Sequence, residues 1–294
     1  MINDNILKIA LGSISLYPPS NVIGIDMGQT LTKISYVEKK ELYLVSYPTL
    51  KNDALIRDFL NSKINYEMKL NFTGGKSYHL YMEYSKSHSS RLIDEFEAIA
   101  KGIEILYLIE RKRELKPTLI VNIGTGTSMI SKKDSIEHLG GTAMGGGFLM
   151  GLMRVLFNIN DFQELMSVAK IGTRYNVDLK VSDIYDKDDY RIDHLFREFT
   201  AASLGKINQH FDTRYLKKED FINSVICMIG ESVGSLATLM AENNDIDNIV
   251  FCGGFLKENK IAKRILSLMS MLKNKNPIFM RDSEFSASIG ALYL

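Results

Sequence analysis

Val22-Ile-Gly-Ile-Asp26-Met-Gly28-Gln-Thr30-Leu-Thr32-Lys33-Ile-Ser-Tyr36 is the stretch on which the fold turns. Val22, Ile23 and Ile25 form a short apolar run, the pattern of a buried strand. Asp26 ends the run, and Gly28 permits a tight turn that a side chain would crowd. Ile34 and Tyr36 then carry a return strand. The tip between the strands holds an acid, a glycine, two hydroxyls and a lysine. Backbone N–H groups and hydroxyls donate to phosphate oxygens, and a carboxylate orients Mg²⁺ or its waters. A hairpin with this tip suits a polyphosphate and its metal.

Outward from the hairpin, Glu41 to Tyr47 reads as a third strand ending at Pro48. Asp53 to Lys63 has helical spacing, with Leu55, Phe59 and Leu60 on one side. Met68 to Phe72 reads as a strand leading into Thr73-Gly74-Gly75. Lys76-Ser77 follows, which invites a P-loop assignment, but the motif needs a glycine at position 70 and leucine stands there. Thr73-Gly74-Gly75 is therefore a glycine turn leaving a strand. Arg91 to Leu115 is expected to be one long helix, with Leu92, Phe96, Ile99, Ile103 and Leu106 on its buried face. Pro117 stops it.

Thr118 to Val121 is the next buried strand, and it opens into Asn122-Ile-Gly124-Thr125-Gly126-Thr127-Ser128. Met129 to Lys132 returns. The opening device is thus repeated, which suggests two similar lobes facing one cleft. Gly140-Gly141-Thr142-Ala143-Met144-Gly145-Gly146-Gly147 then leads into an apolar helix, Phe148 to Phe157. Glycines ahead of a helix let an anion approach the free N–H groups of its first turn; the alternative is close helix packing. Further helices are expected over Asp161–Lys170, His194–Phe211, Glu219–Asn243, Lys260–Lys273 and Phe285–Leu294. Thr173 to Asp189 is polar and expected to carry loops. Asn248 to Cys252, ending at Gly253-Gly254-Phe255, and Pro277 to Met280 are expected strands. Strands alternating with helices make the class α/β.

The chain has 294 residues, enough for two lobes of ordinary size. A net charge of +1 gives no argument for nucleic acid or an anionic membrane. Cys227 and Cys252 form neither a disulfide framework nor a metal spacing, which fits a reducing, cytoplasmic setting. Met1 to Ser20 lacks the basic start and long apolar core of a signal peptide. No stretch reaches the roughly 20 apolar residues of a membrane span. Residues 1–20, closed by Pro18-Pro19, are expected to be an extension on the surface.

The glycine turns follow strands or precede helices, where ligands gather in an open α/β sheet. A nucleoside triphosphate explains them jointly, with the two hairpins on the phosphates and Gly253-Gly254 letting adenine lie against backbone. No GxGxxG follows a strand, which argues against a dinucleotide site. Phosphoryl transfer also needs a base for the incoming hydroxyl. Asp94, Glu95 and Glu97 are the candidates, and spacing does not choose among them.

Together these motifs resemble the type II pantothenate kinases. The resemblance rests on Gly24-Ile-Asp26-Met-Gly28-Gln-Thr30-Leu-Thr-Lys33, Thr73-Gly74-Gly75, Asp94-Glu95-Phe96-Glu97-Ala98 and Asn122 to Ser128. It continues through Leu139-Gly140-Gly141-Thr142 with Gly145–Gly147, Asp178-Leu179 before Val181, Thr200-Ala-Ala202, Gly253-Gly-Phe255 and Phe285 to Leu292. It implies a two-lobed actin-like ATPase (ribonuclease H-like) fold with the nucleotide cleft between lobes, residues 21–117 and 118–294, the last helix packing back on the first. It implies ATP-dependent phosphorylation of pantothenate to 4′-phosphopantothenate, the first step toward coenzyme A.

The resemblance selects Glu95 as the base. ATP and its phosphates fall to Asp26, Gly28, Gln29, Thr30, Lys33, Gly124, Thr125, Gly126, Thr127, Gly145, Gly146, Gly147, Gly253, Gly254 and Phe255, with Mg²⁺ at Asp26. Pantothenate falls to His138, Gly140, Gly141, Thr142, Thr200 and Ala201. A homodimer with Glu219–Asn243 at its interface is implied, without nucleic acid or membrane. Three departures stand out. Gln29 occupies a usual glycine position and puts a side chain beside the phosphates. His138 replaces an arginine, so a fixed charge is lost. Arg281-Asp-Ser-Glu284 has less glycine than the family's last motif. The alternatives are a kinase of this fold acting on a sugar or other small alcohol, and a non-catalytic nucleotide- or acyl-coenzyme-A-binding regulator.

Overall fold

The computed structural model describes residues 6–11, 18–49, 53–64 and 67–294. In chain order the first half carries β1 (Ile6–Ala10), β2 (Val22–Met27), β3 (Leu31–Glu38), β4 (Glu41–Pro48), α1 (Asp53–Lys63), β5 (Lys69–Thr73), α2 (Tyr78–Tyr84), β6 (Ser90–Leu92) and α3 (Glu95–Arg111). The second half carries β7 (Thr118–Ile123), β8 (Thr127–Lys132), β9 (Ile136–Thr142), α4 (Gly146–Phe157), α5 (Phe162–Ala169), β10 (Leu179–Lys180) and β11 (Thr200–Ala202). It closes with α6 (Lys218–Asn243), β12 (Asn248–Cys252), α7 (Lys260–Leu272), β13 (Asn276–Phe279) and α8 (Ser286–Ala291).

The first sheet has the order β1-β4-β3-β2-β5-β6, and the second β13-β12-β7-β8-β9. In each, an antiparallel meander of three strands continues into two parallel strands, β2-β5-β6 in one and β7-β12-β13 in the other. β1 adds antiparallel at the edge of the first sheet, and the duplicated hairpins, β2–β3 and β7–β8, open the equivalent meanders of the two sheets.

The period of two in these strands builds the layers. Ile23, Ile25 and Met27 of β2 face a core with α1 and α2. Leu119, Val121 and Ile123 of β7, with Ile249 and Phe251 of β12, face a core with α4, α5, α6 and α7. The intervening residues, Val22, Ile120, Val250 and Cys252, turn toward a central core shared with α3 and α8. Gly24 and Asp26 lie on that inner side of β2. At Gly24 a Cβ would stand 2.0 Å from the Ser288 carbonyl oxygen, so α8 rests directly on the strand.

Several local expectations change. Arg91-Leu92 lies in β6, not in a helix, because the Ile93 amide donates to the Phe72 carbonyl and extends the pairing with β5. The helix starts at Glu95, where the Asp94 carboxylate accepts from the Phe96 and Glu97 amides at 2.9 and 3.0 Å and caps the first turn. His194–Phe211 is not a helix. It holds a 3-10 turn at His194–Phe196, then β11, then turns. Arg197 donates to the carbonyls of Asp186 and Asp189, and Asp178 accepts the Leu204 amide at 2.8 Å. These bonds draw the backbone out of a helical path.

Ile6–Ala10, expected in an extension, forms the edge strand β1 against β4. The expectation for residues 1–5 and 12–17 lies outside the described residues. Ile136–Thr142 is a strand that the glycine run concealed. By length and composition α6 could cross a bilayer. It packs instead along the second sheet and α7, with Gly230 and Gly234 admitting Ile265 and Met269.

Candidate functional site

The two hairpin tips meet. Thr30 Oγ1 and Thr125 Oγ1 lie 3.3 Å apart, although 95 residues separate them in the chain. Behind the first tip, Asp26 is buried and opposite Lys33 in the β2–β3 ladder, with Lys33 Nζ 3.2 Å from Asp26 Oδ2. Gly74 has φ +88°, and a Cβ there would fall 2.5 Å from Asp26 Oδ1 and 2.8 Å from the Met27 carbonyl oxygen. Only glycine lets the chain turn so close to this carboxylate. Gln29 and Thr30 are exposed at the tip.

The start of α3 closes the other side. Asp94 is committed to the cap and Glu97 is exposed, whereas Glu95 is partly buried. Burial pushes the Glu95 carboxyl above the ordinary range, and the Asp26 charge adds to this, while Lys33 opposes it. Glu95 thus feels both members of the Asp26–Lys33 pair. The fold distinguishes three acids that spacing left equivalent. Next to Glu95, the Phe96 ring stacks on His138 of β9, with centroids 4.0 Å apart and planes 6° from parallel.

At the second tip the glycines pack α4 closely against the hairpin. The Gly146 and Gly147 amides donate to the Gly124 and Thr125 carbonyls, each at 2.8 Å. A Cβ on Gly145 would stand 2.8 Å from the Thr125 carbonyl oxygen. The Gly145–Gly147 run seats α4 against the hairpin, and the Gly146 and Gly147 donors are spent there rather than left for an anion. The Thr127 hydroxyl donates to the Met144 carbonyl at 2.7 Å, so it too is structural. Phe255 is in the hydrophobic core, packed near Gly146, and offers a ligand only its backbone. Gly253, with φ +100°, lies against Ile123 and Asn122, while Gly254 faces open space.

Gly140, Gly141 and Thr142 follow His138 on β9, across a bulge that places Met129 opposite Gly140 and Ile130 opposite His138. Thr200 and Ala201 lie apart from these, on β11 of a two-stranded ribbon. That ribbon is tied to α6. Arg174 bonds Asp178 at 2.6 Å and Glu231 at 2.5 and 3.0 Å, and Ser224 donates to Asp178 at 2.5 Å. An open hollow of about 570 Å³, lined by Glu110, Arg111, Lys263, Phe279, Met280 and Arg281, contains none of the residues above.

The family profile called Fumble matches residues 38–294. A type II pantothenate kinase of Bacillus thuringiensis subsp. konkukian is 36% identical over 274 residues, covering 92% of this chain and 96% of that one. The chain belongs to the type II pantothenate kinase family. A family member from Staphylococcus epidermidis is 32% identical, over 92% of this chain and 99% of its own.

Solved structures extend the family's likeness at the level of fold. The activator of the 2-hydroxyisocaproyl-CoA dehydratase from Clostridium difficile, with bound ADPNP, superposes with a TM-score of 0.59 at 17% identity, over 92% of this chain and 93% of that one. A ROK family glucokinase from Streptomyces griseus, in complex with glucose and AMPPNP, gives 0.57 at 10% identity, over 92% and 98%. The fold is therefore that of the actin-like ATPases. In the structure the Gly146 and Gly147 amides, the Thr127 hydroxyl and the Phe255 ring are engaged in packing contacts. Sequence reasoning did not see the pairing of Thr73 with Asp26, the stacking of the Phe96 ring on His138 or the capping role of Asp94. The Asp-x-x-Glu spacing before an apolar run could have identified the cap.

Proposed function

We propose that this chain transfers the γ-phosphoryl group of ATP to the primary hydroxyl of pantothenate, giving ADP and 4′-phosphopantothenate, the first step toward coenzyme A. The observation that carries the reading is Glu95, partly buried at the start of α3 and within electrostatic reach of Asp26 and Lys33. A carboxylate held above its ordinary pKa is a stronger base. Glu95 takes the proton of the attacking hydroxyl as its oxygen bonds to the γ-phosphorus and ADP departs. Lys33, the exposed Gln29, Thr30 and Thr125, and the half-buried Gly28, Gly124 and Gly126 beside them bind the phosphates. Gly254, which faces open space, leaves room for the base of the nucleotide, with Gly253 turning the backbone beside it.

Asp26 fits a hydrated Mg²⁺. It is one carboxylate beside a phosphate site, and no group of three His, Cys, Asp or Glu side chains forms a cage among the described residues. Bound there with ATP, Mg²⁺ would neutralise phosphate charge. His138, held by Phe96, and the Gly140–Thr142 strand form the acceptor side in this reading, with Thr200 and Ala201 of the ribbon completing it. We further place the chain in the cytoplasm as a homodimer joined along α6, whose Leu239 is exposed. The lobes divide near residue 117.

The test is a panel of alcohols with Mg-ATP. Turnover of pantothenate is expected, and Glu95→Gln lowers kcat by roughly 10²–10⁴ while ATP still binds. Turnover of a sugar but not pantothenate would sink the substrate assignment. Unchanged activity in Glu95→Gln would remove that residue as the base.

A further inference from the structure

Asn71 and Thr73 share the face of β5 opposite to Leu70 and Phe72, which enter the core with α1 and α2. Asn71 is satisfied, donating to the Ala291 carbonyl at 2.7 Å. Thr73 is fully buried, yet its Oγ1 has no hydrogen-bond partner among the described residues. Other buried hydroxyls in the same sheet are bonded: Thr32 to Thr49 at 3.0 Å, Ser35 to Ser288 at 2.7 Å. Burying a hydroxyl without a partner costs stability, and valine would fill the same volume without that cost. The position of the orphan is informative. Thr73 stands opposite Asp26 in the parallel β2–β5 ladder, on the face that carries the carboxylate. The next residue, Gly74, turns against Asp26 Oδ1, while Lys33 occupies Oδ2. Two oxygen acceptors, Asp26 Oδ1 and Thr73 Oγ1, therefore sit together at one strand end.

We infer that the Thr73 hydroxyl is a positioning group for the hydrated divalent cation that accompanies ATP, accepting a hydrogen bond from a cation-bound water beside Asp26. Mg²⁺ retains several waters, each a strong donor, and such waters need neutral as well as charged acceptors around them. The inference rests on the nucleotide reading of the site but not on the identity of the alcohol.

The experiment measures Mn²⁺ binding to the full chain in the presence of saturating ADP, from the paramagnetic signal of free Mn²⁺, with no turnover. Thr73→Val is expected to weaken Mn²⁺ about tenfold, and Thr73→Ser to restore it, with metal-free ADP binding unchanged in both. Wild-type Mn²⁺ affinity in Thr73→Val, together with a higher melting temperature, would overturn the inference and leave a simple unpaired hydroxyl. Equal loss of metal-free ADP binding would overturn it as well, in favour of a structural role. If Thr73→Val does not fold, Thr73→Ala against Thr73→Ser gives the same comparison. Wild-type protein that binds Mn²⁺ and ADP but leaves pantothenate untouched would reject the substrate reading and not this one.

Discussion

At Glu95, the proposed base, stability and charge pull in opposite directions. Its carboxyl is raised mainly by burial, then by Asp26. A raised value in the folded state means that, between the unfolded and folded values, the folded chain holds the proton more firmly. Stability is fully present below the unfolded value and is lost as pH rises through the folded one. At neutral pH the charge therefore destabilises the fold. Glu95→Gln is expected to melt higher than wild type at pH 7, with the gain vanishing below about pH 4, near the free glutamate value. Thermal melts across that range check it. As a base, Glu95 must be deprotonated, so kcat/KM falls on acidification at a pH above that of a free glutamate. A profile unchanged by Glu95→Asp would count against the assignment.

At the scale of elements, two crossings hold the site in place. The helices α3 and α8 touch through backbone. A Cβ on Gly102 would lie 1.7 Å from the Ser286 carbonyl oxygen, and one on Gly290 would lie 1.8 Å from that of Ala98. Neither backbone can yield while α8 also rests on Gly24 of β2. Gly102→Ala is expected to lower stability by at least the usual overpacking cost of about 1–3 kcal/mol, read from the denaturant midpoint. The second crossing is the clasp on the ribbon. Asp178 is fully buried, and its charge is answered by Arg174. Arg174→Met would leave that carboxylate unpaired, at a cost of about 3–5 kcal/mol. Hydrogen exchange should then accelerate at the Leu204 amide, which donates to Asp178. Unaltered protection there would show that the clasp does not hold the ribbon.

At the scale of the molecule, the layers run from α1 and α2, through the first sheet, α3 with α8, and the second sheet, to α4–α7. The central core is common to both sheets. The Thr30–Thr125 contact shows that the hairpin tips converge at the edge of this core. A ligand spanning both tips binds the folded state alone. At a concentration a hundredfold above its Kd, Mg-ATP stabilises by about 2.7 kcal/mol. At about 2–4 °C per kcal/mol, that is a rise in Tm of roughly 5–10 °C. A Thr30→Ala, Thr125→Ala double variant should show a smaller rise at the same nucleotide concentration. An equal rise would place the phosphates elsewhere.

By itself, the sequence determined the central strands and the two hairpins. Apolar runs, acid and glycine at strand ends, and helical spacing are local signals, and β2, β3, β7, β8, α6 and β12 follow from them. The order of the family's motifs also pointed to a kinase of the actin-like fold. What only the tertiary structure decided was which polar groups remain free. Asp94, Glu95 and Glu97 look alike in sequence, but a cap bond commits one, solvent takes another, and burial beside Asp26 sets Glu95 apart. Gly145–Gly147 was open to an anion site or to close helix packing, and carbonyls of the second hairpin take two of its amides. His194–Phe211 lost its helix to bonds from Arg197 and Asp178. The reasons differ in range. The Asp94 cap is a local bond within one turn, whereas the Gly146 and Gly147 donors and the Asp178 acceptor are spent on partners farther along the chain, pairings that exist only once the layers have packed. The hairpin from Val22 to Tyr36 was legible as two strands joined at a polar tip, but the place of Thr73, across the ladder from Asp26, was visible only in the fold.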